Sequence, residues 1–514
     1  MRRREFIKIV VTGSLASIGC PRPPSGAPRP QLRTEVSAGC HAVRDGAAFR
    51  MPPPSRHVPI VVVGGGPAGL VAADALGDLP FVVLEKEPEA GGNATGGSWR
   101  GVGFSTGTSY NADPSIRELA ADLGVPLHPI DSVDGLIVND ILVPEFFTRG
   151  VVRAPYPQTV RDAFRRFVDT YHDYDVDREI YRLDNLPFAE ILKDYPPEVH
   201  LFFDSFGPNN WGARVRDTSA YVGIQSAQWM GGLESKRYSG ADGFGALTRA
   251  LADRVRSRGA DRIVAGATVV RVEPDGGRVR VAYVRPDAVP GHHPVASDPA
   301  DWPVECLSAD TVIVAAPKLI ARHLVAGLPE EQRKAMDRYR YIPYLVANLC
   351  FDGVVHDGSF DVNVPAPDVM SDFVVADWVT RRGQGDRNRP TVLSCYMPQL
   401  EEDRGLFLDE AEIRAATLRA LDRIDRWFPG AADKCREIHV RARGHPMFMA
   451  LCGLMTRWGP VSCRPVGPIH FAGTDGKGGV SDFSEALQTG REAAAAARAS
   501  LDAAARSRPG PSFG

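Results

Sequence analysis

The hydrophobic positions of residues 58–85 form two short apolar runs separated by a helical stretch. Ile60–Val63 is a continuous apolar run of strand length, which is typical of a strand buried on both faces of a parallel sheet. An alanine-rich helical stretch follows over residues 68–76, and a second apolar run over residues 81–84 ends at Glu85. This strand, helix, strand order predicts a doubly wound α/β domain.

Three glycines at the first turn form the pattern GxGxxG. Gly64 would allow a tight turn, Gly66 would let a pyrophosphate approach the backbone, and Gly69 would let the helix pack closely. The helix N-terminus near Ala68 would offer free N–H groups to phosphates. Glu85 lies where a carboxylate accepts hydrogen bonds from ribose hydroxyls, and its charge disfavours a 2′-phosphate. The turn therefore predicts a dinucleotide site.

Three later segments have patterns that predict further elements. Residues 262–284 alternate like antiparallel strands, and the turn sequence Asp275-Gly276-Gly277 would join them. Residues 309–317 are predicted to form a buried strand that ends in proline. Near the C-terminus, a strand-like run and a glycine-rich loop precede a helix that begins near Phe483.

Composition narrows the function classes. The chain has 514 residues, a net charge of −3 and eight cysteines, with 44% hydrophobic and 24% charged residues. This balance indicates an ordinary globular protein of two to four domains and gives no global reason to expect a nucleic-acid partner. No CxxC pair suggests zinc or a redox dithiol, and we predict no metal site. No apolar run is long enough to span a bilayer.

The N-terminal residues read as a targeting segment. Arg3, Arg4 and Phe6 precede a short apolar stretch, and Cys20 opens a proline-rich region. The order is similar to a twin-arginine export signal, which predicts a periplasmic or otherwise exported protein with a possible lipid anchor at Cys20. Residues 1–57 would then be signal and flexible linker. The alternative is an amphipathic tail with no export role.

Glycine-rich segments after Glu85 connect the chain to a family. The pair Gly91-Gly92 and the later Gly107-Thr108 resemble segments of the flavin amine oxidase superfamily. The resemblance implies FAD as the cofactor, with the glycine pair at its diphosphate and the later segment beside the isoalloxazine ring. Asn93 stands where the family usually has arginine, so we expect a weaker phosphate contact.

The C-terminal half supports the same resemblance. Gly473 and Asp475 resemble the second FAD segment, in which the acidic residue contacts the ribityl chain. The helix at Phe483 and Ser484 would direct its N-terminus at the flavin pyrimidine, where its dipole favours negative charge. Val269 matches a valine whose backbone contacts the adenine in the family.

Catalytic residues are less defined. The strand-like YLVANLCF has Ala347 or Asn348 where many amine oxidases have a lysine near flavin N5, so Asn348 is only a weak candidate. Phe483 matches an aromatic residue that faces the flavin in the family. Cys452 and His445 lie where some relatives attach FAD covalently, although a non-covalent flavin is favoured.

We expect an α/β FAD-binding (Rossmann-like) domain with an interleaved α+β substrate domain. The segments assigned to the former are 58–113, 235–330 and 455–505, those assigned to the latter are 114–234 and 331–454, and the tail is 506–514. The expected activity is hydride removal from a C–N bond of a small amine or amino acid, with oxygen or a quinone-type carrier as electron acceptor. The alternatives are a desaturase or isomerase of a larger apolar substrate and a non-catalytic exported flavoprotein.

Overall fold

The computed structural model describes residues 27–35, 37–230, 237–285, 301–365, 369–381 and 385–507. Residues 1–26, which include the predicted export signal and Cys20, lie outside this part of the chain. The strands, in chain order, are β1 Gln31–Arg33, β2 Arg56–His57, β3 Ile60–Val63, β4 Phe81–Glu85, β5 Gly96–Trp99, β6 Val102–Ser105, β7 Tyr110–Asn111, β8 His128–Pro129, β9 Gly135–Val138, β10 Ile141–Val143, β11 Tyr238–Ser239, β12 Ala241–Phe244, β13 Ile263–Ala265, β14 Thr268–Asp275, β15 Arg278–Val284, β16 Val304–Ala309, β17 Thr311–Val314, β18 Tyr341–Asp352, β19 Asp361–Asn363, β20 Asp372–Val375, β21 Pro390–Pro398, β22 Cys435–Phe448 and β23 Ile469–Phe471. The helices are α1 Ala38–Arg44, α2 Pro67–Leu76, α3 Pro114–Asp122, α4 Gln158–Tyr171, α5 Ile180–Leu183, α6 Phe188–Leu192, α7 Pro197–Trp211, α8 Ala220–Met230, α9 Gly245–Ser257, α10 Lys318–Leu324, α11 Glu330–Met336, α12 Glu410–Trp427, α13 Ala431–Lys434, α14 Gly459–Ser462 and α15 Phe483–Ser507.

A five-stranded parallel sheet, in the order β13-β4-β3-β17-β23, carries the glycine turn. Successive residues of β3 alternate between two cores: Val61 and Val63 join one hydrophobic cluster, and Ile60 and Val62 join the other. Because both faces are covered, the strand needs a continuous apolar run. The predicted α/β class is confirmed, and the buried strand predicted over residues 309–317 is β17 of this sheet.

A second sheet, β14-β15-β16-β2, packs beside the first and contains the predicted hairpin. Asp275 pairs with Arg278, so Gly276 and Gly277 form the two-residue turn. The hairpin predicted over residues 262–284 begins later than expected. Ile263–Ala265 is not part of it, because these residues pair in parallel with β4 in the first sheet. A short apolar run has no periodicity that tells these two partners apart.

An eight-stranded mixed sheet, in the order β1-β22-β18-β21-β20-β19-β9-β10, forms the other half of the molecule. One face packs against the aromatic helices α4–α8 in a shared core. The opposite face is covered by α12. Phe202, Phe203 and Trp211 of α7 are fully buried in the helical core, so their role is packing.

The segment before β2 is ordered against both halves. Gln31–Arg33 pairs in parallel with β22, and Val43 and Phe49 are buried in the core under the second sheet. The structure therefore differs here from the predicted flexible linker, which rested on proline and glycine content. A few apolar side chains suffice to dock such a segment when a sheet edge and a core surface are available.

None of the described helices is both long and apolar enough to cross a lipid bilayer.

Candidate active site

A cavity of about 1260 Å³ lies between the parallel sheet and the eight-stranded sheet. Residues from both halves of the molecule line it. The predicted cofactor residues that line it are Gly64, Gly66, Ala68, Glu85, Gly92, Asn93, Gly107, Thr108, Val269, Gly473, Asp475, Phe483 and Ser484. Segments up to about 400 residues apart in sequence thus meet at one site, as the resemblance requires.

The turn after β3 brings bare backbone to the cavity wall. Gly64 has φ +102°, and a Cβ there would lie 2.8 Å from the carbonyl oxygen of Ala315. Gly69 does not line the cavity; a Cβ there would lie 1.9 Å from the Gly64 oxygen, so this glycine permits helix packing, as predicted. Gly66 precedes the first residue of α2 and faces Gly92, where a Cβ would meet the Gly66 Cα at 2.9 Å. The two glycine segments therefore leave a cradle that side chains would fill.

Glu85 ends β4 with its carboxylate held by the backbone. Its Oε2 accepts a hydrogen bond from the Gly65 amide at 2.5 Å, and its Oε1 accepts one from the Glu87 amide at 2.8 Å. Burial raises the pKa of Glu85, and these two N–H groups oppose that rise. A fixed carboxylate that still has free lone pairs is suited to hold ribose hydroxyls.

The second glycine pair differs from the prediction in two respects. Gly91 turns the chain in a left-handed conformation but does not line the cavity. Asn93 lines the cavity, yet its Nδ2 donates to the Pro446 carbonyl at 2.7 Å. The Asn93 amide, predicted to bind phosphate, thus uses one of its N–H groups to bond the backbone of β22.

Arg443 on β22 supplies a buried positive charge beside the second glycine pair, and no local sequence pattern indicated it. It is 3% exposed and donates to the carbonyl oxygens of Gly92 and Thr106 and to Thr95 Oγ1. The carboxylates of Glu35 and Glu87 act on it through space, whereas these three hydrogen bonds go to neutral acceptors. Burial and nearby Arg441 lower the pKa of Arg443 to about 9, so it remains charged at neutral pH. A desolvated guanidinium bonded only to neutral acceptors favours an anion in the adjoining cavity.

The C-terminal segment places Asp475 at the end of a buried network. Its Oδ2 accepts from the Lys318 amide at 2.7 Å and from the Tyr341 hydroxyl, and its Oδ1 lies 3.4 Å from Lys318 Nζ. Lys318 is completely buried. No local pattern identifies Lys318 in the sequence, because the contact spans 157 positions.

The N-terminus of α15 carries its own acidic cap. Asp482 Oδ1 accepts from the Glu485 amide at 2.9 Å and from the Ser484 hydroxyl at 2.7 Å. The D-x-x-E spacing is a capping signature that the sequence analysis overlooked. Burial raises the pKa of Asp482. The positive end of the helix, predicted to point at the flavin pyrimidine, is thus also next to a carboxyl group of this chain.

Both weak catalytic candidates have structural contacts. Phe483 is 2% exposed, and its ring packs against Phe244 with centroids 5.3 Å apart. Asn348 does not line the cavity: it is completely buried, donates to the Ser105 carbonyl at 3.1 Å and accepts from Ser394 Oγ. The prediction of Asn348 as a catalytic candidate is therefore wrong in position, because β18 directs this side chain at β6 rather than into open space.

The remaining predicted positions fall as follows. Val269 lies on β14 beside an irregularity in register, at the cavity wall. His445 lines the cavity, and burial lowers its pKa to about 3. Cys452 is not among the lining residues; its Sγ lies 3.9 Å from the carbonyl oxygens of Asp217 and Thr218. Lys86 is the one lysine of the described cavity lining, and it pairs with Glu87 at 2.6 Å.

With this geometry in place, comparison with known proteins decides the family. The sequence profile of the flavin containing amine oxidoreductases matches residues 67–498. The chain belongs to this family. It is therefore an FAD-dependent oxidoreductase, and both that prediction and the predicted cofactor are confirmed.

Known relatives align with most of this amine oxidoreductase chain. The flavin-containing monoamine oxidase homologue AofH of Mycobacterium tuberculosis is 26% identical over 469 residues, covering 86% of this chain and 97% of the relative. Cyclohexylamine oxidase from Brevibacterium oxydans has a similar structure, with TM-score 0.64 at 18% identity over 87% of this chain and all of that one. Putrescine oxidase bound to putrescine has TM-score 0.63 at 19% identity, with the same coverage. A fatty acid isomerase from P. acnes has TM-score 0.61 at 15% identity, over 85% of this chain and 97% of that one. At these identities, the structural likeness shows the fold alone.

The cavity fits FAD by its own chemistry. The glycine cradle, the buried Arg443 guanidinium and the Glu85 carboxylate are what a long dinucleotide with a diphosphate and ribose hydroxyls requires. We expect Gly66, Gly92 and Arg443 at the diphosphate and Asp475 at the ribityl chain.

Proposed function

We propose that this enzyme oxidises a small organic amine by removing hydride from the carbon of a C–N bond, with oxygen or another carrier as the final electron acceptor. Bound FAD would supply the hydride acceptor. The observation that carries the proposal is the continuity of the cavity, which is lined at one end by the glycine cradle and at the other by polar side chains of the substrate half. A substrate bound at the end lined by the substrate half would lie in the same cavity as the cofactor.

The wall chemistry favours an amine over a large apolar molecule. Tyr344 and Tyr396 of the eight-stranded sheet and Asn209, Asn210 and Gln225 of the helices line the cavity. Several of their donor groups are already bonded within the protein, but a polyene or fatty acyl chain would leave the acceptor oxygens without a further partner, which costs free energy. An amine can donate hydrogen bonds to the hydroxyl and amide oxygens.

The chain's own groups orient the substrate and exclude water. Tyr396 donates to the Gly107 carbonyl at 3.1 Å, and Tyr344 donates to Asn209 Oδ1, so both rings are fixed beside the segment expected at the isoalloxazine. Fixed orientation is the main contribution that a protein makes to hydride transfer by a flavin. No described lysine of the substrate half takes part, since Lys86 lies at the Glu85 end.

The test is anaerobic reduction of the purified flavoprotein. Loss of the yellow flavin absorbance on addition of alkylamines, but not of polyenes or fatty acids, is the expected result. Reduction by amino acids alone would redirect the proposal to an amino-acid oxidase. A flavin that no amine or amino acid reduces would refute it, and conversion of a fatty acid or polyene would favour the isomerase or desaturase alternative.

We also propose that the enzyme is exported already folded around FAD, by a twin-arginine route. The support is the order Arg3-Arg4-x-Phe6 and the need of this route for folded cargo. Replacing Arg3 and Arg4 together by lysine should retain the holoenzyme in the cytoplasm, and mass spectrometry of the exported form would show whether Cys20 carries lipid. Unchanged export would refute the twin-arginine assignment.

A further inference from the structure

The segment that precedes the glycine turn contributes to the wall of the cavity. We call its described residues 31–35 and 37–44, which include β1 and α1, the N-terminal strap. Six side chains or backbone groups of the strap line the cavity, and they belong to Thr34, Glu35, Ser37, Cys40, His41 and Arg44. The strap ends before residue 67, where the match to the family profile begins. It is therefore a part of the site that the family profile does not describe.

The strap is attached to both halves of the molecule. On one side, Gln31–Arg33 pairs in parallel with His439–Arg441 of the eight-stranded sheet. On the other side, Ala42 and Val43 of α1 are buried in the core that contains β14 and α10. Because its two ends are held by different halves, the strap spans the cavity that lies between them.

A chain of ion pairs begins and ends on the strap. Glu35 Oε1 lies 4.0 Å from Lys86 Nζ, and Lys86 pairs with Glu87 at 2.6 Å. Glu87 in turn lies 3.4 Å from a guanidinium nitrogen of Arg441. Arg441 also donates to the Thr34 carbonyl oxygen at 3.3 Å. These contacts hold the middle of the strap against the end of β4 and against β22.

The strap lies against the residues expected at the adenosine of FAD. The ion pairs begin at the residue after Glu85, which is expected to hold the ribose. A Cβ at Gly39 would lie 2.6 Å from Thr268 Cγ2, next to Val269, which is expected at the adenine. Burial raises the pKa of Cys40, and the nearby Glu85 carboxylate adds to that rise. The Cys40 thiol, which lines the cavity, is thus close to the expected ribose site.

We propose that the N-terminal strap completes the adenosine end of the FAD site and retains FAD by covering it. FAD would then leave only when the strap is displaced, so the contacts that hold the strap set the rate of FAD loss. The inference concerns the cofactor alone and does not depend on which substrate is oxidised.

The first test measures FAD dissociation from the holoenzyme, followed by the rise in flavin fluorescence after dilution. Glu35→Ala removes the carboxylate that accepts from the Gly444 amide at 3.0 Å and that begins the ion-pair chain. Dissociation should become about ten- to hundred-fold faster, the range for one lost hydrogen bond to a charged group. Glu331→Ala is the control, because Glu331 pairs with Arg464 at the surface, does not line the cavity and should leave the rate unchanged.

The second test separates a local effect from general destabilisation. Gly39→Val would push α1 away from Thr268, because its side chain has no space there. The full-chain apoprotein is titrated with ADP, which carries the adenosine and diphosphate, and with riboflavin, which carries the isoalloxazine and ribityl chain. The variant should bind ADP more weakly and riboflavin as the native chain does. An equal loss for both ligands would overturn the proposal.

The third test uses Cys40 as a reporter, with modification by N-ethylmaleimide followed by mass spectrometry of the peptide that contains it. ADP should slow the modification of Cys40 in the apoprotein, whereas riboflavin should not. Failure of ADP to protect Cys40, or an unchanged rate of FAD dissociation in Glu35→Ala, would overturn the assignment of the strap to the adenosine end. Neither result bears on the proposed oxidation of amines, which anaerobic reduction of the flavin tests separately.

Discussion

At the scale of single residues, the cofactor end of the cavity relies on side chains that are fixed before any ligand binds. Glu85 has one backbone N–H on each carboxylate oxygen, and Arg443 is surrounded by three neutral acceptors. Such prior fixing lowers the conformational entropy lost on binding. The two residues therefore allow separate tests of the ribose and diphosphate ends.

Glu85→Ala should weaken FAD binding by about 1–3 kcal/mol, because charge-assisted hydrogen bonds to the ribose are lost. Equilibrium titration of the apoprotein with FAD measures the change. Glu85→Gln is the control, since it keeps the shape and part of the hydrogen bonding. Unchanged affinity in the alanine variant would reject the ribose assignment.

Arg443→Met should reduce FAD affinity more than Arg443→Lys, because methionine removes the charge next to Gly92 and lysine retains it. We expect a loss of about 1.5–3 kcal/mol for methionine, the range for a hydrogen bond to a charged group. Titration with FAD and with riboflavin, which has no phosphate, distinguishes the sites. A loss that is equal for both ligands would place Arg443 away from the diphosphate.

At the scale of elements, the crossing of α15 over α2 holds the two FAD segments together. Gly490 makes the close approach possible: a Cβ there would lie 2.6 Å from the Ala68 carbonyl oxygen and 3.2 Å from the Val71 side chain. Ala68 also lines the cavity. Helix spacing at this point therefore sets the shape of the diphosphate cradle.

Gly490→Ala should lower both the free energy of unfolding and FAD affinity. Overpacking costs about 1–3 kcal/mol, whereas the gain in helix propensity is about 1 kcal/mol. Urea unfolding and FAD titration provide the two measurements. Gly385→Ala, at a site with no atom within 4 Å of the added Cβ and no left-handed φ, should change neither. Equal behaviour of the two variants would contradict the crossing argument.

Sequence patterns identified the elements whose signals are local. The continuous apolar runs of β3 and β4, the GxGxxG turn and the Gly276-Gly277 hairpin each lie within a few positions, so their structure follows from the segment alone. Arg443 and Lys318 could not be found in that way. Their importance comes from strands that are distant in sequence and meet only in the folded chain. Asp482 is different, since its capping signature was present.

At the scale of the whole molecule, the buried carboxyl group of Asp372, on β20 at the cavity wall, links stability to pH. In the unfolded chain an aspartate ionises near its ordinary pKa of about 4. In the folded enzyme Asp372 keeps its proton until about pH 7. A group with a raised acidic pKa favours the folded state less as the pH rises between these two values.

Asp372 should therefore contribute a decline in the free energy of unfolding of the substrate-free holoenzyme between about pH 4 and pH 7, which the buried imidazole of His445 opposes because its pKa is lowered. In Asp372→Asn the decline should be smaller, because the amide does not titrate. Urea unfolding at a series of pH values in that range measures both slopes. Identical slopes in the two proteins would show that the carboxyl is not desolvated as described.

The placement of β1 has a consequence for aggregation. β22 is a 14-residue strand, and within the described residues the strand that pairs with its outer edge is Gln31–Arg33, opposite His439–Arg441. A long strand with an open row of backbone donors and acceptors is a template for pairing between molecules. Gln31–Arg33 thus covers part of the β22 edge in the eight-stranded sheet. Proteolysis after Arg33 would therefore expose backbone donors and acceptors of β22 and favour pairing between molecules.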